Sequence, residues 1–267
     1  MLDALALYGR YISVSFISQM QYRASFIMLS LSHFAMTGLG FLGIWVLFEH
    51  FQRIEGWTLP EIALFYGIIN MAFALSDATS RGFDAFASRV KSGDFDRMLI
   101  RPRSTVLQLA GQELTLRRIG RFSQGLLVFT WAANALAIDW TAAKCALLLI
   151  TICRAAGLFY SLIVLQATLC FWTTESLEIM NTVTYGGVET AQYPLVIYRL
   201  WFRRFFTFVV PLVCVSYYPT LGLLGRADPL GSPAYVHWLA PLVEFCFLAI
   251  CLQIWKVFVR HYRSTGS

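Results

Sequence analysis

The chain has 267 residues, 58% of them hydrophobic and only 13% charged, with a mean hydropathy of +0.62. A soluble domain carries roughly a quarter charged residues, so a water-soluble globule is excluded and lipid must be the solvent for much of the surface. The net charge of +6 does not point to nucleic acid, because the basic residues flank apolar runs and no basic face with interleaved aromatics exists between them.

Residues 2–22 predict a helix with Leu5, Tyr8, Ile12, Phe16 and Met20 on one side and Arg10, Ser13 and Gln19 on the other. That pattern suits a helix lying in the headgroup plane, so 1–22 is read as interfacial. Asp3 and Arg10 interrupt the early residues, and no cleavable leader is expected. Phe26 to Phe48 holds no charge beyond that possible on His33, and about 23 residues at 1.5 Å rise reach about 34 Å, enough for a span. A second apolar run lies near Ile62–Leu75, and a third at Phe122–Ile138 after Arg117, Arg118 and Arg121.

The fourth span is uncharged over Ala155–Thr174 but has Lys144 and Arg154 near its start. One very long helix from Thr141 is the favoured reading, against a shorter one with Arg154 snorkelling to the nearer face. Residues 175–204 carry Glu175, Glu178 and Glu189, then Arg199, Arg203 and Arg204, and are expected to stay mostly out of lipid. A fifth span covers Phe205–Leu221 with Pro211 inside it; the Pro- and Gly-dense stretch 217–233 reads as irregular or re-entrant; a sixth runs Tyr235–Phe258 and carries Glu244. The fold expected is an all-α membrane protein of about six transmembrane helices, forming one transmembrane domain over 1–267. With both termini in the cytoplasm, 17 of the 21 basic residues fall inside, three (Arg53, Lys144, Arg226) outside and Arg154 within a span.

The loop between the second and third spans, 82–103, carries the clearest pattern. Phe83, Phe86, Ala87 and Val90 recur at helical spacing while Asp84, Ser88, Arg89 and Lys91 face elsewhere. Ser92-Gly93 breaks that helix, Asp94 can cap a second one through Phe95, Met98 and Leu99, and Arg101-Pro102 ends it. Helices this short cannot bury an apolar face alone, so they are expected on headgroups or in a groove on another protein.

The run Gly93-Asp94-Phe95-Asp96-Arg97-Met98-Leu99-Ile100-Arg101-Pro102 resembles the loop between spans two and three of type-2 ATP-binding-cassette permeases. It is similar in particular to the compact bacterial group of about this length, with its Gly-x-x-Asp-x-x-Leu-x-Arg-Pro block. A second block, Tyr193-Pro194, Pro211, Tyr218-Pro219 and Leu223-Leu224-Gly225, fits the same group. The resemblance implies a bacterial inner-membrane export permease that dimerises with a second copy or a paralogue. It also implies two separate ATPase subunits, which hold ATP and Mg. Phe83, Phe86, Arg89, Val90, Gly93, Asp94, Phe95, Asp96, Met98, Leu99, Arg101 and Pro102 are then the ATPase-coupling candidates. Tyr193, Pro194, Pro211, Tyr218 and Pro219 are pathway candidates. The stretch 175–204 departs from the plan, being longer and more polar than a minimal permease needs.

No ATPase motif is found: Lys91, Lys144 and Lys256 lack the glycines of a phosphate-cradling loop. No cofactor, metal site or catalytic residue is expected on the chain; its six cysteines form no C-x-x-C pair, and five lie in apolar runs as small hydrophobes. His33, Arg154 and Glu244 are the ionisable groups nearest membrane depth. Glu244 is expected to face the dimer interior or a wet cavity, with Arg154 as its partner, and both join the pathway candidates. Gly38, Gly40 and Gly43, and Gly157 with Ser161, would permit close helix contact. An ion-coupled carrier would show two related halves with interrupted helices in matching places, and only one interruption is visible. An intramembrane enzyme needs paired aspartates, a nucleophile–base pair or a metal cluster, against one deep carboxylate here.

Overall fold

A computed structural model describes residues 2–171, 177–231 and 234–262, without the side chains of 2–6, 177–180 and 234–241. Arg263, Trp172 to Thr174 and Glu175 therefore lie outside the described residues, as does the side chain of Glu178. Among the described residues every regular element is a helix, and one isolated bridge joins Ile54 to Trp57. The helices are α1 (Leu2–Gln21), α2 (Arg23–Phe51), α3 (Leu59–Thr79), α4 (Arg81–Asp84), α5 (Phe86–Lys91), α6 (Asp94–Leu99) and α7 (Thr105–Gln112). They continue with α8 (Ile119–Ala135), α9 (Ala142–Leu169), α10 (Leu177–Ala191), α11 (Leu200–Phe208), α12 (Leu212–Val215), α13 (Tyr217–Leu224) and α14 (Ala234–His261).

Helices α2, α3, α9 and the Leu242–His261 part of α14 are long and apolar enough to cross a bilayer. Helix α11 with α12–α13 makes a fifth candidate, bent by 73°. The segment expected as a third span is α8, of only 17 residues, about 26 Å and at the lower limit for crossing. Among the described residues, length and composition thus give four candidate spans, or five with the bent pair, and the expected all-α, multi-pass membrane fold.

Helix α3 begins at Thr58, which forms a reciprocal capping box with Glu61; the Thr58 backbone N–H donates to Glu61 Oε2 at 2.8 Å. From Ile62 to Ala74 every residue is buried, so α3 is the axis of the bundle. Helices α8 and α9 flank it, α2 covers α8, and α14 packs on α9. The α3–α8 approach depends on Gly67: a Cβ there would lie 2.6 Å from Phe129 Cβ and 2.8 Å from the Gly125 carbonyl. The expected stripe on α2 is looser, with Gly43 meeting nothing within 4 Å. Helix α2 instead turns Met28, Leu31, Leu39, Leu42 and Val46 outward, as lipid or a second subunit requires.

Helix α1 docks by a mixed face of Tyr8, Tyr11, Ser15 and Gln19, while Arg10 and Ser13 of the expected polar side are exposed. Gln19 Oε1 accepts from the Leu116 N–H at 2.9 Å and Gln19 Nε2 donates to the Leu114 carbonyl. This leaves Ile12, Val14, Phe16 and Ile17 exposed, while Tyr8 and Met20 of the expected apolar side turn partly inward.

Helix α9 runs 28 residues from a Thr141 cap, matching the favoured long-helix reading. Part of the 175–204 stretch joins the core: Val188 and Ala191 of α10, with Leu195 beyond it, pack into the main hydrophobic cluster. The segment expected to be irregular over 217–233 is helical as far as Leu224, because Pro219 sits in the first turn of α13, where N–H groups have no intrahelical partner. The backbone break falls earlier, at Val209–Pro211, between α11 and α12. At the end of the bundle beyond α13, Arg226 donates to Glu61 at 2.8 Å and lies 4.1 Å over the Trp57 ring, closing that end.

Replacing Gly67 with Val should lower stability by about 1–3 kcal/mol through overpacking, while Gly43→Val should not. Thermal unfolding of the detergent-solubilised protein checks this, and equal effects at the two positions would contradict the packing described.

Candidate functional site: a packed helical knot and two buried polar sites

Helices α4 to α7 form a compact knot with its apolar side turned into the protein. Phe83, Phe86, Ala87, Val90, Phe95 and Met98 are buried in one cluster with Leu109 of α7, Ile163, Val164 and Ala167 of α9, and Trp255 of α14. Trp255 is 0% exposed and donates from Nε1 to Thr105 Oγ1 at 3.1 Å. Its ring meets Phe83, Phe86 and Phe171 with centroids 5.2, 4.9 and 5.4 Å away, mostly edge to face. The apolar face expected to seek headgroups or another protein is therefore covered by the chain's own α9 and α14. No periodicity within the loop could reveal this, because the cover comes from residues 70 to 170 positions away.

The signature residues have separate local tasks. Gly93, at φ +72°, makes the left-handed turn between α5 and α6. Ser92 Oγ donates to Asp94 Oδ2 at 2.9 Å. Buried Gln108 donates from Nε2 to the carbonyls of Met98 at 3.1 Å and Arg103 at 3.0 Å, pinning the Arg101-Pro102 turn. Burial, and then the Asp96 carboxylate, push the Tyr262 hydroxyl above its usual range, so α6 also meets the end of α14. What the knot shows to solvent is a mixed edge of Lys91, Asp94, Arg97, Leu99, Arg101 and Pro102, with Ile100 83% exposed; Arg89 is half-buried.

The expected Arg154–Glu244 pair forms. Arg154 Nε donates to Glu244 Oε2 at 2.9 Å and Nη2 to the Cys214 carbonyl at 3.3 Å, both side chains being buried. Gly157 makes the space, since a Cβ there would lie 2.8 Å from Glu244 Oε1. The pair thus joins α9 to α14 inside one subunit and reaches the backbone of α12. A buried charge with its partner removed is expensive.

A second polar site lies between α2, α3, α8 and the end of α10, around a cavity of about 250 Å³. Its walls include His33, Tyr66, Asn70, Arg121, Glu189 and Tyr193. Arg121 Nε donates to Asn70 Oδ1 at 2.8 Å, and the guanidinium lies 4.5 Å over the Phe73 ring. Tyr66 donates its hydroxyl to the Thr37 carbonyl, tying α3 to α2. Below the cavity Arg118 sits 2.7 Å from buried Asp77 and 3.2 Å from His33. Of the pathway candidates only Tyr193 lines this cavity. Pro194 is buried before the short turn Leu195–Ile197, Pro211 marks the α11–α12 break, and Tyr218 and Pro219 are buried in α13. Arg121 and Glu189 were visible in the sequence only as flanking charges; their shared cavity is a tertiary fact.

A family profile described as ABC-2 family transporter protein matches residues 34–266. The chain belongs to that family. No curated protein and no solved structure matches it. It is thus the permease component of an ABC transporter and not its ATPase, and membership implies association with ABC ATPase subunits. The resemblance drawn from the 93–102 block is confirmed over the length of the permease.

Removing one member of the Arg154–Glu244 pair, as Glu244→Leu or Arg154→Met, should cost about 3–5 kcal/mol, and the double variant should recover most of that. Unfolding of the three variants in detergent is the check; additive losses would mean the two side chains do not act as a pair.

Proposed function

We propose that the chain is the membrane pathway of an ATP-driven exporter in the bacterial inner membrane. It works as a dimer with a second copy or a paralogue, both termini in the cytoplasm, above two ATPase subunits that bind ATP and Mg. The observation that carries the reading is the two-sided knot of α4–α7. Its underside is welded to α9 and α14 through Trp255, while its outer edge is left free. A force applied to such an edge moves two long helices with it, because a close-packed aromatic core transmits displacement instead of absorbing it. Closure of the ATPase pair would rotate α9 and α14 and with them the Arg154–Glu244 pair. The coupling role therefore divides: Asp94, Arg97, Leu99, Ile100, Arg101 and Pro102 meet the ATPase, and Phe83, Phe86, Val90, Phe95 and Met98 pass the movement on. Outward-facing apolar side chains on α2 and α14 suit lipid or the second permease.

The test separates the two sides of the knot. Ile100→Asp, and the exchange Asp94→Arg with Arg97→Asp, should abolish co-purification of the cognate ABC ATPase without shifting the unfolding temperature. Trp255→Ala should keep the ATPase bound yet lose transport. An ATPase that binds every edge variant normally would remove this surface from the mechanism.

A further inference from the structure

The cavity at Arg121 holds two opposite charges that do not meet. Arg121 and Glu189 both line it yet make no ion pair within 4.0 Å, and Glu189 accepts only a long bond, 3.4 Å, from Gln192 Nε2 of the same wall. Arg121 uses Nε on Asn70, and its two terminal nitrogens have no hydrogen-bond partner among the described residues. Elsewhere opposite charges close directly, as Arg154 does on Glu244, Arg118 on Asp77 and Arg226 on Glu61. The cavity wall on α2 runs from His33 to Ile44, about 15–30 Å along the helix from Arg23. Arg121 is half-buried in the cavity and Glu189 stands exposed at its rim, an arrangement that leaves the separated charges wet or filled by a ligand.

The charge pattern selects the filler. A simple anion would be attracted by Arg121 and repelled by Glu189, and a simple cation the reverse. A group carrying both an acidic and an amine function satisfies both. The rim selects further. Met36 is 70% exposed there and Gly40 beside it has no side chain, so the cavity opens past α2 toward the outward apolar face that includes Leu39. A ligand arriving from that side keeps its tail on α2 while its head reaches Arg121.

We propose that this cavity binds the zwitterionic headgroup of an amphiphile, its acidic group on the terminal nitrogens of Arg121 and its amine on Glu189. The proposal rests on the permease reading and supplies that reading's substrate class. Arg121 is the anchoring cation, Glu189 decides zwitterion over anion, and Tyr66 and Asn70 hold the walls.

Binding is measured on the purified full chain in detergent, without ATPase, by isothermal titration. The probes are dihexanoyl-phosphatidylethanolamine, dihexanoyl-phosphatidylglycerol, dodecyltrimethylammonium and free O-phosphoethanolamine. The zwitterionic lipid should bind most tightly. Glu189→Gln should weaken it at least about tenfold, as loss of a charge-assisted contact does, and should raise the relative affinity for the anionic lipid. Arg121→Gln should remove binding of both. Should that variant fail to fold, Glu189→Gln, at an exposed position, decides alone. Equal affinity for the three amphiphiles, or no change in Glu189→Gln, overturns the proposal. Equal affinity for free O-phosphoethanolamine overturns the amphiphile in favour of a soluble zwitterion. Because no ATPase is present, these outcomes are independent of the co-purification test of the permease reading.

Discussion

Trp255 is an indole with no exposed surface near the end of a helix that also turns Leu242, Phe245, Ile250 and Val257 outward. Around it the faces of four short helices, the end of α9 and the end of α14 become one packed unit. None of α4 to α6 exceeds six residues, and helices so short are marginal unless packing holds them. The indole supplies that packing, and its N–H finds Thr105 instead of being stranded. The remainder of the architecture depends on this knot, since it makes a loop into part of the body.

From the knot, α9 carries the structure across the bundle. It meets α3 on one side and α14 on the other, and near its middle Arg154 reaches Glu244 and the α12 backbone. A guanidinium with two donors engaged on different elements sets their spacing more tightly than apolar contact does. The far end is closed by Arg226 over Trp57 and Glu61. The bundle therefore has polar fastenings at several levels, with apolar surface between them.

The chemistry at depth falls into two kinds. Arg154 and Glu244 close directly on each other. Arg121 and Glu189 face a shared cavity without closing on each other. This difference, invisible in a count of charged residues, divides structural polarity from polarity available for recognition.

Composition and periodicity determined that this is an all-α membrane protein, where the apolar runs begin, and that a turn falls at Gly93 and another at Pro102, because helix caps and breaks are local events. The family, too, was legible in ten residues from Gly93 to Pro102. The helix ends were not, since α8 stops three residues short of the apolar run's end at Ile138 and a 73° bend at Val209–Pro211 separates α11 from α12–α13. Nor was the fate of the apolar face of the 83–99 helices: one strip of sequence looks the same whether lipid, a partner or the chain itself covers it. Only tertiary structure decided that α9 and α14 provide the cover and that Arg121 and Glu189 share a cavity; to the Arg154–Glu244 pair expected across 90 residues it added the geometry. Such pairings depend on which helices lie side by side, and packing between distant segments sets that.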